Sequence, residues 1–285
     1  MPIANEIVFA RTRWNYDSYT DYWELVELSG FPIVWLDEMD LSKLGTTYIV
    51  SPMNGEFTPY MEQNKGRVSE VLLWNLERPG DDGIQGYVNG NQLYIGAGYL
   101  DGVIVSDMQL ANDAEFKFVP LGSHYELGTP GDLEHRLNGF DLIHLCCYSL
   151  HRSFLFRTPE EPRSDILGLT VATNGWGNAR HIRLMTSRFM LNIHQDELPY
   201  IEPLRFSLAA AYGLPILSEH CADIYPYSGE WVTMSVSGRD VTELLNSEWV
   251  RDPVMFTERG FSAGLEMCRF MSTVHSFRAC LEAYL

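Results

Sequence analysis

The sequence predicts an α/β protein built on two open sheets, each covered on both faces. Two observations carry this. Short apolar runs such as EIVFA (6–10), TTYIVSP (46–52) and DGVIVSD (101–107) are too apolar for half-exposed strands and too short for helices. Helix-period segments and turn residues lie between them, and a sharp turn at Gly128-Thr129-Pro130-Gly131 divides the runs into two series.

In the first series EIVFA opens as a strand. Asp17 to Leu28 follows as a helix, because Tyr19, Tyr22, Trp23 and Val26 recur at helical spacing and Ser29-Gly30 closes it. PIVWLDE (32–38), TTYIVSP, EVLLWNLE (70–77), DGVIVSD and FKFVPLG (116–122) are the further strands. Pro79 to Asn91, rich in glycine and aspartate, predicts a loop. The two sheets join near residues 126–139. In the second series FDLIHLCCYS (140–149) and LGLTVATNG (167–175) are strands and NARHIRLMTS (178–187) a short helix. The stretch Met190–Glu219 then supplies a buried strand (Phe189 to Ile193), a polar loop, a helix opening near Glu202 and a strand at Pro215 to Leu217. From Thr257 to Leu285 the pattern predicts one long amphipathic helix with Phe261, Leu265, Cys268, Met271 and Phe277 inward.

Composition narrows the function. The chain has 285 residues, 46% of them hydrophobic and 13% aromatic, which is globular composition. No apolar run approaches the ~20 residues that span a bilayer, and the N-terminus runs straight into a strand without signal-peptide character. Five cysteines, with Cys146 and Cys147 adjacent in an apolar strand, point to reduced core thiols and a cytoplasmic setting. A net charge of −18 repels nucleic acid and anionic membrane. One basic island stands out, made of Arg152, Arg157, Arg163, Arg180, Arg183 and Arg188, and suits a small anionic ligand or a surface stripe. GxGxxG, HExxH, GxSxG and Walker motifs are all missing, and the histidines are scattered, so no metal site is expected.

Open α/β sheets bind ligands beyond the carboxyl ends of their strands. In the first half those ends carry Asp37, Asn54, Glu77, Asp107 and His124, carboxylates and an imidazole suited to deprotonating a hydroxyl. In the second half they carry Ser149, Arg152, Asn174, Asn192 and His194, then Glu202 and Arg205 at a helix start. Glu202 and Arg205 lie three apart and share a helix face. A carboxylate there can accept sugar hydroxyls while a guanidinium holds phosphate; a plain crossover with an ion pair is the other reading.

In their order, WNLERP (74–79), VIVSDMQL (103–110), FKFVPLG, YSLHR (148–152) and LNIHQ…EPLRFSLAAAYGLPILSE (191–219) resemble glycosyltransferases of the GT-B fold. The similarity is greatest to the small group-one-like and spore-maturation-type transferases of bacteria and phages. The resemblance implies two Rossmann-like domains facing a cleft. Residues 1–138 would hold the acceptor, 139–256 a nucleotide-diphosphate sugar, and the helix 257–285 would cross back to the first domain. It further implies Glu202 at the donor ribose, Arg152 beside Ser149 near the diphosphate, and Asn192 and His194 lining the same pocket with Asn174 and Arg205. Acceptor contacts fall to Asp37, Asn54 and Arg78. Transfer would be metal-independent, with no resident cofactor and a UDP-sugar first among the donors.

For an inverting reaction the base is Glu77, then Asp107, then His124, in that order. Three functions follow: transfer to a saccharide or small acceptor, transfer to 5-hydroxymethyl-pyrimidine bases of phage-type DNA, or an inactive sugar-nucleotide-binding protein. The DNA reading uses Arg11, Arg13, Lys65, Arg67 and Arg78 as a basic rim. The inactive reading is motivated by Cys147-Tyr148 where the family has a glycine, and by Leu208 where an acidic residue is frequent.

Overall fold

The structure is a computed structural model and describes residues 6–13, 19–51, 55–79, 82–137, 140–145, 153–158, 161–162, 169–172, 178–194, 197–227, 231–235 and 253–285. The chain packs as two units. The first comprises Met1–Pro120 and Cys280–Leu285, the second Leu121–Ala279. The division thus falls at Pro120/Leu121, ahead of the 126–139 segment, and His124 belongs to the second unit.

The first unit holds a six-stranded parallel sheet. Its strands are β1 (Glu6–Arg11), β2 (Ile33–Trp35), β3 (Thr46–Val50), β4 (Glu70–Trp74), β5 (Gly102–Val105) and β6 (Lys117–Phe118), in the order β2-β1-β3-β4-β5-β6. Both faces are covered, as the unbroken burial of Val8, Phe9 and Ala10 shows. Helix α1 (Thr20–Leu28) seats Tyr22 and Trp23 on the sheet. The Tyr22 ring lies 6.3 Å from Phe9 and 6.1 Å from Trp74, edge-on to each. Trp74 donates its indole N–H to Ser106 Oγ (2.8 Å), and that hydroxyl donates to the Val119 carbonyl (2.8 Å). A buried polar chain therefore runs from the end of β4 past the end of β5 to the residue after β6.

Two expectations for this unit are corrected. PIVWLDE is strand only to Trp35; Leu36–Glu38 is a 3-10 turn in which the Glu38 carboxylate accepts the Trp35 N–H (3.1 Å). The expected loop 79–91 is instead largely helix. After α2 (Phe57–Gln63), which has no counterpart in the sequence reading, helix α3 spans Gly83–Gly96. Its glycines argued for a loop, yet side chains tie it locally: Asn91 donates to the Tyr87 carbonyl (2.8 Å) and Gln85 to Asn89 (2.9 Å). Helix α4 (Met108–Ala114) completes the set before β6.

The second unit repeats the plan. Helix α5 (Leu133–Leu137) precedes β7 (Phe140–Leu145). A small antiparallel pair, β8 (Phe156–Thr158) and β9 (Glu161–Pro162), follows. Then come β10 (Leu169–Ala172), α6 (Asn178–Thr186), β11 (Ser187–Asn192), α7 (Pro203–Ala211), β12 (Ile216–Glu219) and β13 (Val232–Ser235). The five-stranded sheet runs β10-β7-β11-β12-β13, all parallel. In each unit the first strand of the series lies between the second and third, so the order reverses once, between β1 and β3 and between β7 and β11. That reversal is the topological switch point at which such sheets bind ligands.

The single tail helix is also corrected. Helix α8 (Pro253–Thr273) stops before Val274, and α9 (Phe277–Tyr284) starts anew. Ser276 sits at the break, its hydroxyl accepting the Ala279 N–H (3.3 Å) as an N-cap, while its backbone pairs with Ser123. Within the second unit α8 packs on α7, α5 and β11. Gly213 adopts φ 59° after α7, and a Cβ at Gly264 of α8 would overlap its carbonyl.

Gly264→Ala should therefore lower stability by roughly 1–3 kcal/mol in urea unfolding, since backbone and not a side chain must move. Gly90→Ala, in α3 with open space around its Cβ, should instead add about 0.5–1 kcal/mol. Equal effects at the two positions would contradict the packing.

Candidate functional site

Strand β11 ends at the switch point of the second sheet, and α7 begins just beyond it. Glu202 is the N-cap residue of α7, in extended conformation, with Pro203 at the first helical position. The spacing of three brings Arg205 back over the cap, where its Nη2 pairs with Glu202 Oε2 at 2.6 Å. Glu202 keeps 20% side-chain exposure, Arg205 only 7%. The other arm of the guanidinium donates to Asn192 Oδ1, at the end of β11. Asn192 is fully buried and donates to Ser218 Oγ (2.8 Å), its register partner on β12. A continuous polar relay thus runs Ser218–Asn192–Arg205–Glu202, from the strand ends to the helix start. Of the sequence candidates, Asn192, Glu202 and Arg205 are brought together.

His194 lies beside them but is turned to β12. Its backbone N–H donates to the Glu219 carboxylate (2.6 Å), and its Nε2 lies 3.0 Å from the His220 carbonyl, so this nitrogen carries the proton. Glu219, Ser218 and the Cys221 thiol, 3.7 Å from that Nε2, were missed by sequence reasoning. Ser218 and Glu219 are the last residues of β12, a strand too short to show which face they take, and Cys221 lies just beyond it. Ser149, Arg152 and Asn174 lie outside the described residues, as does Asn54 in the first unit.

Among the described residues, Arg157, Arg180 and Arg188 of the basic island take separate roles. Arg188 donates to the Arg136 carbonyl (3.1 Å) and the Leu137 carbonyl (2.6 Å), closing the end of α5. Arg180 is buried, and Arg157 pairs with Glu161 (3.5 Å) at the exposed β8–β9 turn. Arg152 and Arg163 fall outside the described residues.

At the carboxyl edge of the first sheet, Glu77 is exposed and accepts the Tyr19 hydroxyl. Its N–H donates to Asn75 Oδ1 (3.1 Å), and Asn75 in turn donates to Asn91 of α3 (3.3 Å). Tyr87, one turn earlier on α3, has its hydroxyl held protonated well beyond the usual range, by burial first and then by the charges of Glu77 and Asp107. Tyr87 and Asn91 are absent from the sequence candidates because α3 itself was not anticipated, and Tyr19 because it reads there only as part of the apolar face of the first helix. Asp107 is buried and N-caps α4, its Oδ1 accepting the Leu110 N–H at 2.6 Å. His124, in the second unit, accepts the Glu126 N–H on Nδ1 (3.1 Å), and burial lowers its pKa below the ordinary imidazole value.

Asp37 pairs with Arg13 (3.3 Å), both exposed, and Arg78 is half-buried beyond β4. Arg11 and Arg13 lie over the Trp35 ring at 4.1 and 4.8 Å from its centroid. The five basic residues grouped for nucleic acid divide between opposite edges of the sheet. Arg11 ends β1 and Arg13 and Arg78 lie beyond the ends of β1 and β4, whereas Lys65 and Arg67 precede β4. Arg67 is only 9% exposed and holds Asp101 (2.5 Å) with the Ser69 and Gly98 carbonyls. Among the described residues no group of His, Cys, Asp and Glu is arranged to hold a metal ion, and no helix is long and apolar enough to cross a membrane.

Comparison with solved structures finds the same architecture. Anabaena Alr3699/HepE, solved in complex with UDP and glucose, matches over 97% of this chain and 98% of its own, with TM-score 0.60 and 9% identity. TarM matches over 84% of this chain and 55% of its own, with TM-score 0.52 and 9% identity. The likeness shows the fold, the two-sheet α/β GT-B architecture. No protein-family model and no curated protein sequence matches the chain.

Asp107→Ala should cost about 1 kcal/mol through the lost cap of α4. Asp107→Asn should retain that stability, because asparagine caps as well. A stable Asp107→Asn protein that has lost turnover would show a proton-transfer role beyond the cap.

Proposed function

We propose that this protein is a glycosyltransferase that moves a sugar from a UDP-sugar to an acceptor hydroxyl. The relay that ends on Glu202 carries the reading. It places a part-exposed carboxylate, held by a buried guanidinium, beside the switch point of the second sheet, where this fold binds ligands. The structural match to a protein solved with UDP and glucose supports it. In this reading the second unit is the donor domain, Glu202 accepts ribose hydroxyls, and Arg152 with backbone amides meets the diphosphate. The first unit binds the acceptor with Asp37, Asn54 and Arg78.

In the transfer, the acceptor oxygen forms a bond to the anomeric carbon as the bond from that carbon to the diphosphate oxygen breaks. The electron pair leaves with UDP, and the acceptor proton passes to a base. Glu77 is the preferred base: it is exposed and oriented by Tyr19, whereas Asp107 is committed to a helix cap. His124, kept neutral at pH 7 by its lowered pKa, is the alternative. The donor set requires no metal in this scheme. A hexose or pentose as the transferred group, the small group-one-like branch and a saccharide or small-molecule acceptor complete the proposal. A cytoplasmic setting fits the three described cysteines, Cys221, Cys268 and Cys280, which form no disulfide.

UDP-glucose should raise the melting temperature; at a hundredfold excess over Kd the native state gains about 2.7 kcal/mol. No shift with UDP-glucose, UDP-galactose, UDP-N-acetylglucosamine or UDP-xylose would sink the proposal. Glu202→Gln keeps an acceptor for Arg205 and should melt normally, yet bind UDP-sugar at least about tenfold more weakly, the effect of losing one charge-assisted contact. Glu77→Gln should lower turnover by about 10²–10⁴-fold with donor affinity unchanged. If His124→Asn shows that loss instead, the base is His124.

A further inference from the structure

Three segments of the second unit converge on an exposed aromatic surface that the donor chemistry does not use. The first is the loop 121–125, in which the His124 and Tyr125 rings stack at 4.5 Å and Tyr125 is 64% exposed. The second is the loop after β12, where Tyr225 is 39% exposed and its N–H donates to Asp223 Oδ1 (2.8 Å). The third is the end of α8, with Phe270 39% and Val274 58% exposed. His275 joins the last two: its ring is 4.9 Å from Phe270 and 5.8 Å, edge-on, from Tyr225.

The surface is built, not incidental. The Ser123 N–H donates to the His275 carbonyl (3.2 Å) and the Phe277 N–H to the Ser123 carbonyl (3.0 Å), which fixes the first segment against the third. Gly122 adopts φ 68°, and a Cβ there would press on the His275 carbonyl. The Ser207 hydroxyl of α7 donates to the Gly122 carbonyl (2.6 Å). The Ala222 N–H donates to the Pro199 carbonyl (2.8 Å), tying the second segment to the approach of α7. These bonds tie two of the segments to α7 and to the chain that leads into it.

We propose that Tyr225, Phe270 and His275, with Tyr125 on the loop bonded to them through Ser123, form a shelf that binds a neutral saccharide chain, separate from the nucleotide sugar. Contiguous apolar surface of this kind marks a binding site. Each ring except Phe270 has a polar edge, through phenol or imidazole, and a sugar ring likewise presents an apolar C–H face rimmed by hydroxyls. Asp223 and Glu126 flank the rings on a chain of net charge −18, so an uncharged ligand fits better than a polyanion. The choice of a saccharide rests on the sugar-transfer reading above.

The test is saturation-transfer NMR on the intact protein with cellohexaose, maltohexaose and chitohexaose, one at a time, with UDP-glucose melting shifts measured in parallel. At least one hexaose should receive saturation from the aromatic protons, and Tyr225→Ala with Phe270→Ala should reduce it at least fivefold. The UDP-glucose shift should be unchanged in the same variants, which also shows that they fold. No transfer to any hexaose, or transfer equal in wild type and variant, overturns the shelf. Concentration-dependent sedimentation abolished by the same substitutions, without sugar binding, overturns it in favour of self-association. Saccharide binding without any UDP-sugar shift would leave the shelf standing and sink the transferase reading alone.

Discussion

Helix α7 is buried from Pro203 through Ala211 except at Leu204, and a helix so enclosed must find internal partners at both ends. An arginine supplies them at one end only, because a guanidinium donates and can satisfy helix carbonyls but not helix N–H groups. At its carboxyl end the Arg136 guanidinium, 1% exposed, donates to the Tyr212 and Gly213 carbonyls and lies 5.3 Å from the Phe261 ring centroid. Burial pushes its pKa down to about 10, which leaves it charged at neutral pH and opposite the negative end of the helix dipole. At the other end Arg205 reaches from the first turn to Asn192 and Glu202. The second unit is arranged around this one helix, with α5 presenting Arg136, α8 crossing at Gly264, and β11 and β12 supplying the strand-end polar groups.

That arrangement changes what Asn192 and Arg205 do. Read along the chain, they are two more polar residues able to touch a ligand. In the fold both are buried and engaged with one another, and the group they hold outward is Glu202. A carboxylate alone at a helix N-cap has rotamer freedom; one bonded to a guanidinium that is itself anchored to a strand end does not.

Much of this was legible in the chain. The apolar runs became strands, because a sheet buried on both faces leaves a continuous hydrophobic signature. Glu202 and Arg205 could be paired from spacing alone, since the Pro203 start and the apolar run behind it fix the helix phase. The link to Asn192 and Ser218 was not legible, for it depends on the register of β11 against β12. Helix α3 was hidden by its composition, and with it Tyr87 and Asn91. The break between α8 and α9 has a different origin: Phe261, Leu265, Cys268 and Met271 keep helical spacing, the six-residue step to Phe277 does not, and at the interruption Ser276 pairs with the distant Ser123. Asp107 shows a further limit, because a capping aspartate and a catalytic one occupy the same kind of position at a strand end.

Helix α3 has an implication of its own. Gly83, Gly86, Gly90 and Gly96 are four of its residues, Asn91 is its one fully buried residue, and Tyr87 and Tyr94 pack on Phe116 and Phe57 while staying part-exposed. Less apolar area therefore opposes its unwinding than holds the fully buried strands, and the glycines enlarge the ensemble it would unwind into. Local opening at such a place costs far less than opening of the strands beneath it. The first unit thus couples a rigid sheet to a cover that can be remodelled without disturbing the core. Sequence drift in α3 can then alter what sits above Asn75 and Glu77 while the rest of the protein keeps its shape.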